Sequence, residues 1–268
     1  MAMSDAVGDL GYNQDEMMTV AASRLLTDGM VIFVGIGLPS AAANLARLTH
    51  APEIALIYES GTIATRPNAL PLSIGDGELA ETARTVVSVP EMFRYWLQGG
   101  RIDVGFLGAA QIDKYGNINT SYIGGTYQTP KVRLPGGGGA PEIATQAGEI
   151  FVIMRQSPRG FVNRLDFVTS LGGGPRREEA RAKGHMPTGK GPSTIITDLG
   201  VLKTNPNTDE FILTDLHQGC SAEQAKRATG WDLKVAEQVG QTEPPSVHEL
   251  SVLRALTDGT AKARDDNA

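Results

Sequence analysis

Five short apolar runs, separated by stretches of helical character, most constrain how this chain can fold. Their apolar residues are contiguous rather than alternating, and this pattern predicts strands that are covered on both faces. Such strands, alternating with helices, indicate an α/β fold: an open, mostly parallel sheet with helices on both faces. The predicted strands are 30–34, 54–58, 85–89, 104–107 and 150–154, and the predicted helices are 41–48, 92–98 and 141–147.

The N-terminus and the second half of the chain carry further signals of how it is organised. Asn13 is predicted to cap a first helix, with Glu16 as the reciprocal partner in a capping box. Residues 172–192 are rich in Gly, Arg, Lys and Pro, which predicts a mobile surface excursion. We interpret residues 13–256 as a single domain whose C-terminal third packs on the same sheet. That third contains predicted strands at 193–197 and 210–214, helices at 222–229 and 247–256, and a polar tail at 257–268.

The composition favours an enzyme that acts on a small molecule. The 268 residues include 24 Lys and Arg against 30 Asp and Glu, and the net charge of -6 offers no basic surface for nucleic acid or an anionic membrane. A single cysteine, Cys220, excludes an internal disulfide, and with only four scattered histidines it argues for a reducing compartment and against a structural zinc site built from Cys and His. The sequence does not open with a basic segment followed by an apolar one, so we expect a cytoplasmic protein without a membrane span.

The residues that follow the predicted strands are the candidates for a site, because ligands of open α/β sheets bind outside the carboxyl ends of the strands. Glu59 is the most informative of them, since it follows a buried strand directly and Ser60 and Gly61 can turn the chain there. A solvated glutamate at a strand end is the structural alternative. Asp76 and Glu78 are also acidic, but their Gly-Asp-Gly context favours a turn.

Two glycine-rich segments can bring backbone N–H groups to the same edge. Gly35 and Gly37 stand between a strand and a helix, where they can hold an anion or an oxyanion. Ser40 replaces the third glycine of a dinucleotide fingerprint and no acidic ribose partner follows, so NAD is disfavoured. The run 136–139 either contacts a ligand or forms a flexible connector, and residues 115–120 predict a hairpin turn. The chain has no Gly-x-Ser-x-Gly elbow, which argues against a serine hydrolase, and the residues alone leave the reaction open.

Several motifs together resemble the β subunits of class I CoA-transferases, in the branch of glutaconate CoA-transferase. The resemblance spans about residues 13–256, and its most specific motifs are Tyr-Glu-Ser-Gly at 58–61 and Gly-Asp-Gly-Glu-Leu-Ala-Glu-Thr-Ala at 75–83. The others are Val-Gly-Ile-Gly-Leu-Pro at 34–39, Leu-Ser-Ile-Gly-Asp at 72–76, Gly-Ala-Ala-Gln-Ile-Asp-Lys-Tyr-Gly-Asn-Ile-Asn at 108–119 and Gly-Gly-Gly-Gly-Ala at 136–140.

The resemblance implies a coenzyme A thioester as substrate, with no tightly bound cofactor and no metal. It implies that Glu59 is the nucleophile, which becomes an acyl anhydride and then a glutamyl-CoA thioester. A glutamate is ionised at neutral pH, so this nucleophile needs no general base. We expect backbone N–H groups to stabilise the oxyanions and to bind CoA, with Gln111 lining the pocket. The glycines concerned are Gly35, Gly37, Gly136, Gly137, Gly138 and Gly139.

The resemblance also implies a different second polypeptide, an α subunit, with the active site between the two in a heterodimer or heterotetramer. The leading activity that it implies is transfer of CoA from succinyl-CoA to 3-oxoadipate, and transfer to glutaconate or another dicarboxylate from acetyl-CoA is the alternative. Arg66 and Arg133 are candidate carboxylate ligands, although a surface charge is the simpler interpretation of each. Residues 124–127, Gly-Gly-Thr-Tyr, replace an acidic Gly-Asp-Tyr segment of similar proteins, which bears on the substrate rather than on the reaction.

Two other classes of function compete with transfer. An enzyme of the same fold can hydrolyse a CoA thioester or cleave a carbon–carbon bond, but that chemistry requires no glutamyl thioester, so Glu59 disfavours it. A non-catalytic α/β module that regulates or binds a sugar phosphate would tolerate an idle Glu59.

Overall fold

A ten-stranded sheet organises the computed structural model, which describes residues 11–185 and 187–265. Residue 186 of the predicted excursion and residues 266–268 of the predicted tail lie outside the described residues. The strands are β1 (Val31–Phe33), β2 (Ala55–Ile57), β3 (Thr62–Ile63), β4 (Thr85–Val86), β5 (Val104–Leu107), β6 (Gln111–Ile112), β7 (Ile118–Asn119), β8 (Tyr122–Gly125), β9 (Pro130–Arg133), β10 (Glu149–Ile153), β11 (Pro192–Ile196), β12 (Gly200–Thr204), β13 (Phe211–Leu216) and β14 (Val235–Gln241). The helices are α1 (Gln14–Ser23), α2 (Leu38–Leu48), α3 (Gly77–Glu81), α4 (Val89–Glu91), α5 (Ala140–Gln146), α6 (Gly174–Ala182), α7 (Ala222–Arg227) and α8 (Val247–Asp265), with a π-helix at Met92–Leu97.

The strands of the large sheet follow the order β14-β13-β12-β11-β10-β5-β1-β2-β3-β4. Its centre is parallel, because β1 pairs in parallel with β2 and β5, and β10 pairs in parallel with β5 and β11. Antiparallel pairs lie towards the margins, β2–β3 and β3–β4 on one side and β11–β12 and β12–β13 on the other. The strands of the C-terminal third therefore extend the same sheet, as the sequence predicts.

Successive residues of β1 show that both faces of the sheet are covered. Ile32 belongs to a core cluster that includes Met18 of α1 and Ala42 of α2. Phe33 belongs to a different cluster, which includes Met92 of the π-helix and Ile143 of α5. Neighbouring residues of a strand point to opposite faces of the sheet, so a run of contiguous apolar residues is buried on both faces. The predicted α/β fold, with an open and mostly parallel sheet, is confirmed.

The N-terminal signals of the sequence are also confirmed. Asn13 Oδ1 accepts a hydrogen bond from the Glu16 backbone N–H at 2.9 Å, and Glu16 Oε2 accepts one from the Asn13 backbone N–H at 2.8 Å. This capping box begins α1 at Gln14.

Across the described residues, none of the helices combines the length and the apolar character that crossing a membrane requires.

The prediction of a buried strand at 85–89 is wrong. Only Thr85–Val86 is extended, it pairs antiparallel with β3 at the margin of the sheet, and Val86 is 54% exposed. Ser88 and Glu91 then form a capping box that begins α4. The apolar run gave the appearance of a core strand, but Val86 and Val89 are largely exposed and Val87 is only partly buried against the core.

The segment 172–192, predicted as a mobile surface excursion, is largely exposed and also contains α6, which the prediction did not include. Arg177 of α6 is only 4% exposed and donates hydrogen bonds to the carbonyl groups of Gly172 and Gly189. The N–H of Gly189 in turn donates to the carbonyl of Thr145 in α5 at 2.9 Å. A buried guanidinium thus anchors this helix. Hydrophobic periodicity did not predict the helix because α6 has no apolar stripe. The predicted tail differs as well, since α8 continues as far as Asp265.

Arg24, the C-cap of α1, binds the first turn of α8. Its guanidinium donates two hydrogen bonds to the carboxylate of Glu249, at 2.8 and 2.7 Å. Burial raises the pKa of the Glu249 carboxyl, but hydrogen bonds from Arg24 and Ser246 outweigh burial and lower this pKa to about 2. The folded pKa lies below the unfolded value of about 4.3, so the contact stabilises the fold above that pH and loses its contribution as the pH falls towards 2.

We expect Glu249→Gln to lower the free energy of unfolding by about 1 kcal/mol at neutral pH, because a neutral amide loses a charge-assisted pair that solvent partly screens. Urea titrations should show this deficit shrinking between about pH 5 and about pH 2, where the wild-type carboxylate loses its advantage. Glu223→Gln removes the exposed pair with Lys226 and is the control, with an expected change below about 0.5 kcal/mol. A deficit that stays constant over that pH range would contradict the role of Glu249.

Candidate active site

Glu59 stands at the corner of a tight turn that follows β2. The N–H of Gly61 donates to the carbonyl of Tyr58 at 3.0 Å and closes the turn. Gly61 has a φ of 99°, and a Cβ at this position would lie 1.9 Å from the carbonyl oxygen of Val87. Only glycine combines that conformation with such a close approach, so Gly61 fixes the turn that presents Glu59 at the carboxyl edge of the sheet.

Tyr58 anchors this turn to α2. Its side chain is fully buried, and its hydroxyl shares a hydrogen bond of 2.8 Å with Oγ of Ser40. Burial raises the pKa of the Tyr58 phenol, which therefore stays protonated at neutral pH. The residue immediately before Glu59 is thus a neutral structural contact rather than a second titrating group.

Glu59 lines a cavity of about 450 Å³ at the carboxyl ends of the central strands. Gly35 follows β1 and Gly108 follows β5, as expected for a ligand site of an open α/β sheet. Of the described residues that line this cavity, Glu59 alone has a titratable side chain, and such an apolar wall strengthens any hydrogen bond formed inside it. The other lining residues are Phe33, Val34, Ile36, Leu38, Pro39, Ile74, Phe106, Leu107, Gly137, Gly138, Gly139, Ala140, Ile143 and Ile153.

The backbone of Gly139, the N-cap of α5, approaches the Glu59 carboxylate closely. A Cβ on Gly139 would lie 2.9 Å from Oε1 of Glu59 and 2.6 Å from Cζ of Phe93. Its φ of -79° and ψ of -7° suit any residue, so a larger residue here would be opposed only by the ends of the Glu59 and Phe93 side chains, which would have to move. The glycine run therefore packs against Glu59. At one end the N–H of Gly136 donates to the carbonyl of Thr120, and at the other the N–H of Ala140 donates to the carbonyl of Gly137.

Unpaired N–H groups surround the cavity. Within the described part of the chain, the N–H groups of Gly137, Gly138 and Gly139 donate no hydrogen bond to another residue, and the same holds for Gly35 and Gly37. Groups of this kind at the start of a helix can bind an anion or stabilise an oxyanion. Four of these five glycines line the Glu59 cavity, and Gly37 is the exception.

Gly37 and Gly136 lie beside the cavity rather than in its wall. Gly37, the N-cap of α2 with a φ of 84°, lines a second cavity of about 600 Å³, which shares Ile36 and Leu38 with the first. The N–H of Gly136 donates to the carbonyl of Thr120 at 2.8 Å, so this group is already used. The glycine run thus divides into one residue that anchors the loop and three that line the site.

Gln111 belongs to the β6–β7 hairpin and is not among the described residues that line the cavity. Its side chain is 7% exposed, and its Oε1 accepts a hydrogen bond from Asn119 Nδ2 at 2.9 Å. Asp113 Oδ1 organises the hairpin by accepting from the backbone N–H groups of Tyr115 and Asn117, both at 3.0 Å. The predicted turn is present, and Gln111 faces its strand neighbour in this chain.

The remaining charged candidates make local contacts. Asp76 is the N-cap of α3 and accepts from the N–H of Glu78 at 3.2 Å, so the predicted turn residues have a structural role. Arg66 donates to the carbonyl of Pro52 at 3.2 Å, and the guanidinium of Arg133 lies 4.8 Å from the ring centroid of Tyr127. No group of His, Cys, Asp and Glu side chains among the described residues could hold a metal ion.

Sequence reasoning missed Phe93. Its ring meets the same Gly139 backbone as Glu59, and it packs edge-on against Phe33 with ring centroids 6.0 Å apart. The pattern of residues 92–98 predicts only a generic helix, because hydrophobic periodicity does not reveal which aromatic side chain a π-helix turns towards the site.

Comparison with known proteins agrees with this architecture. The Coenzyme A transferase family matches residues 15–228. The chain is 59% identical to the B subunit of 3-oxoadipate CoA-transferase from Pseudomonas knackmussii over 94% of this chain and 96% of that protein. It is 34% identical to the B subunit of glutaconate CoA-transferase from Acidaminococcus fermentans over 92% of this chain and 93% of that protein.

Solved structures show the same fold. The crystal structure of glutaconate coenzyme A-transferase from Acidaminococcus fermentans matches with a TM-score of 0.85 and 32% identity, covering 93% of this chain and 96% of that chain. The decarboxylase AibA/AibB matches with a TM-score of 0.78 and 25% identity, covering 92% and 95%. The fold and these matches define an α/β enzyme subunit. The chain belongs to the Coenzyme A transferase family, so the assignment made from its motifs is confirmed, and the substrates of this family are coenzyme A thioesters.

We expect Gly139→Ala to lower kcat by about 10²-fold, the scale on which loss of one oxyanion donor acts. The added Cβ would displace the ends of the Glu59 and Phe93 side chains from their places beside the start of α5. Steady-state kinetics and thermal denaturation should be measured together, so that lost activity is separated from lost fold. Gly77→Ala is the matched control, because a Cβ at Gly77 meets nothing within 4 Å. Equal kcat values for the two variants would show that the close approach has no bearing on the reaction.

Proposed function

We propose that this chain is the β subunit of a heteromeric CoA-transferase that moves CoA from succinyl-CoA to 3-oxoadipate, with Glu59 as the nucleophile. The observation that carries the proposal is that Glu59, the one carboxylate among the described residues of an apolar cavity, lies against a glycine run at a helix start. The substrate is proposed from the 59% identity to the B subunit of 3-oxoadipate CoA-transferase, which extends over nearly all of both chains.

The reaction begins when a Glu59 carboxylate oxygen attacks the thioester carbonyl of succinyl-CoA. The C–S bond breaks, CoA leaves as the thiolate, and Glu59 and succinate form a mixed anhydride. The thiolate then attacks the glutamyl carbonyl and succinate leaves as a carboxylate, so that Glu59 becomes a CoA thioester. The carboxylate of 3-oxoadipate reverses the two steps and restores the Glu59 carboxylate. No proton has to be removed from the nucleophile, which fits a cavity where the described lining residues offer no other titratable group.

Each step passes through a tetrahedral oxyanion that needs hydrogen-bond donors already in place. The N–H groups of Gly35, Gly137, Gly138 and Gly139 are unpaired and line the cavity of Glu59. In such surroundings, one donor typically contributes about 10²–10³ in rate. We assign oxyanion stabilisation and thioester binding to this set.

The α subunit has a defined chemical task in this proposal. Succinyl-CoA and 3-oxoadipyl-CoA each keep one free carboxylate, yet no Lys, Arg or His is among the described residues that line the cavity of this chain. A carboxylate in an apolar cavity requires a cationic or hydrogen-bonding partner. We therefore assign that partner, and closure of the cavity against water, to the α subunit, in line with relatives that are named as one subunit of a larger enzyme.

Two alternatives are supported by particular relatives. Transfer to glutaconate from acetyl-CoA retains Glu59 as nucleophile and is favoured by the 34% identity to the glutaconate CoA-transferase chain. Cleavage of a carbon–carbon bond is favoured by the similar fold of the decarboxylase AibA/AibB. Glu59 distinguishes these alternatives, because only transfer requires a covalent bond between its carboxyl group and CoA.

We expect the heteromer, mixed with succinyl-CoA alone, to accumulate a CoA thioester on Glu59. Borohydride reduces a thioester to an alcohol, and peptide mass spectrometry then locates the modified residue. Glu59→Gln should lower kcat by roughly 10⁴-fold or more, because the amide is not a nucleophile at neutral pH. Glu91→Gln, at an exposed glutamate of the α4 capping box, should retain activity. The mechanism would be falsified by full transferase activity of Glu59→Gln.

We expect 3-oxoadipate to exceed glutaconate and other dicarboxylates in kcat/KM by about tenfold or more when succinyl-CoA is the donor. Initial rates should follow ping-pong kinetics, because the donor acid leaves before the acceptor binds. This chain without its α subunit should transfer no CoA. Preference for glutaconate with acetyl-CoA would replace the proposed substrate pair and keep the mechanism.

A further inference from the structure

A π-helix stands next to the proposed nucleophile. The N–H of Gln98 donates to the carbonyl of Phe93 at 2.8 Å, and the N–H of Arg101 donates to the carbonyl of Trp96 at 2.9 Å, so each bond spans five residues. Turns of this kind are rare in proteins and are found frequently at functional sites. This segment therefore calls for a functional explanation as well as a structural one.

The residues of this segment suit the wider turn. Met92 and Leu97 are five residues apart and are both fully buried, whereas this spacing would separate them on the surface of an α-helix. Gly99 follows the π-helix, and a Cβ there would lie 2.2 Å from the carbonyl oxygen of Tyr95. The pattern of burial and the glycine together hold the π-helical turn, which sets the direction of Phe93.

Phe93 and Glu59 meet at one point of the backbone. The position that a Cβ of Gly139 would take lies 2.6 Å from Cζ of Phe93 and 2.9 Å from Oε1 of Glu59. The half-buried Phe93 ring is supported by Phe33, against which it packs edge-on. The edge of the Phe93 ring therefore takes up space on one side of the Glu59 carboxyl group that solvent could otherwise occupy.

The element that carries Phe93 is also tied to the element that carries Gly139. Nε2 of Gln98 donates a hydrogen bond to Oε1 of Glu142 in the first turn of α5. The π-helix and the glycine run are thus joined by a polar contact at the surface and by the Phe93–Gly139 contact beneath it. These two contacts fix the relative positions of the Phe93 ring, the Gly139 backbone and the Glu59 carboxylate.

We propose that Phe93 is a positioning residue, which holds the carboxyl group of Glu59 against Gly139 and keeps water from the glutamyl carbonyl. The inference rests on the proposed function, because only a covalent glutamyl intermediate needs this protection. In the reaction that Phe93 prevents, water adds to the glutamyl carbonyl and the C–S bond breaks. CoA then leaves as the thiol with one proton, and Glu59 returns as a carboxylate with release of the other.

The test compares Phe93→Leu and Phe93→Ala in the full heteromer with Tyr95→Ala, which changes a 60% exposed aromatic residue of the same π-helix. Free CoA released from succinyl-CoA without acceptor measures hydrolysis, and acyl-CoA formed with acceptor measures transfer. We expect the ratio of hydrolysis to transfer to rise by about tenfold or more in Phe93→Ala, by less in Phe93→Leu, and not at all in Tyr95→Ala.

The ratio discriminates between roles because the same folded molecules perform both reactions, so partial unfolding cancels. Equal loss of hydrolysis and transfer in the two Phe93 variants, with an unchanged ratio, would overturn the inference. If Phe93→Ala does not fold, Phe93→Leu carries the test. Trapping on the wild-type heteromer separates the two levels of the argument: without a Glu59 thioester the proposed function fails, whereas with the thioester and an unchanged ratio only the role of Phe93 fails.

Discussion

The candidate site is organised around the close approach of the Gly139 backbone to the carboxylate of Glu59. Gly139 stands at the start of α5 and Glu59 in the turn after β2, and a Cβ on the first would lie 2.9 Å from Oε1 of the second. Neither element makes this contact alone. The turn is held by Gly61 against the backbone of Val87, and α5 packs beside the parallel strands β5 and β10. The sheet thus brings together two glycine positions that lie far apart in the chain.

The surroundings of Glu59 suit one task and leave another to a second polypeptide. The described cavity wall is apolar apart from this carboxylate, and four of its glycines have N–H groups that donate no hydrogen bond to another described residue. Such a wall favours a charged nucleophile and a developing oxyanion, because fixed dipoles act strongly where water is scarce. It supplies no cation for the distal carboxylate of a dicarboxylic acid. In the proposed reaction, the division of chemistry between two subunits therefore follows from which charges this chain does and does not place at the cavity.

The hydrophobic pattern of the sequence predicted the strands that are buried on both faces. The contiguous apolar runs around Ile32, Leu56 and Phe106 became central strands, because residues buried on both faces leave a direct mark on the sequence. The same pattern wrongly predicted a buried strand around Val86, which lies at the sheet margin. The polar composition of residues 172–192 gave no sign of α6, which the buried side chain of Arg177 anchors. Strand order and a buried guanidinium are relations between distant residues, and hydrophobic periodicity carries no information on either.

The sequence by itself determined the α/β class, the family and the identity of Glu59 as the acidic residue at a strand end, because strand burial and motif spacing are local properties. Only the tertiary structure decided that Gly137, Gly138 and Gly139 line the Glu59 cavity while Gly37, Gly136 and Gln111 lie outside its wall. It also decided that a π-helix brings Phe93 to the same place. These outcomes depend on distances of a few ångströms between segments that meet only when the sheet has formed, and no single stretch of sequence encodes such distances.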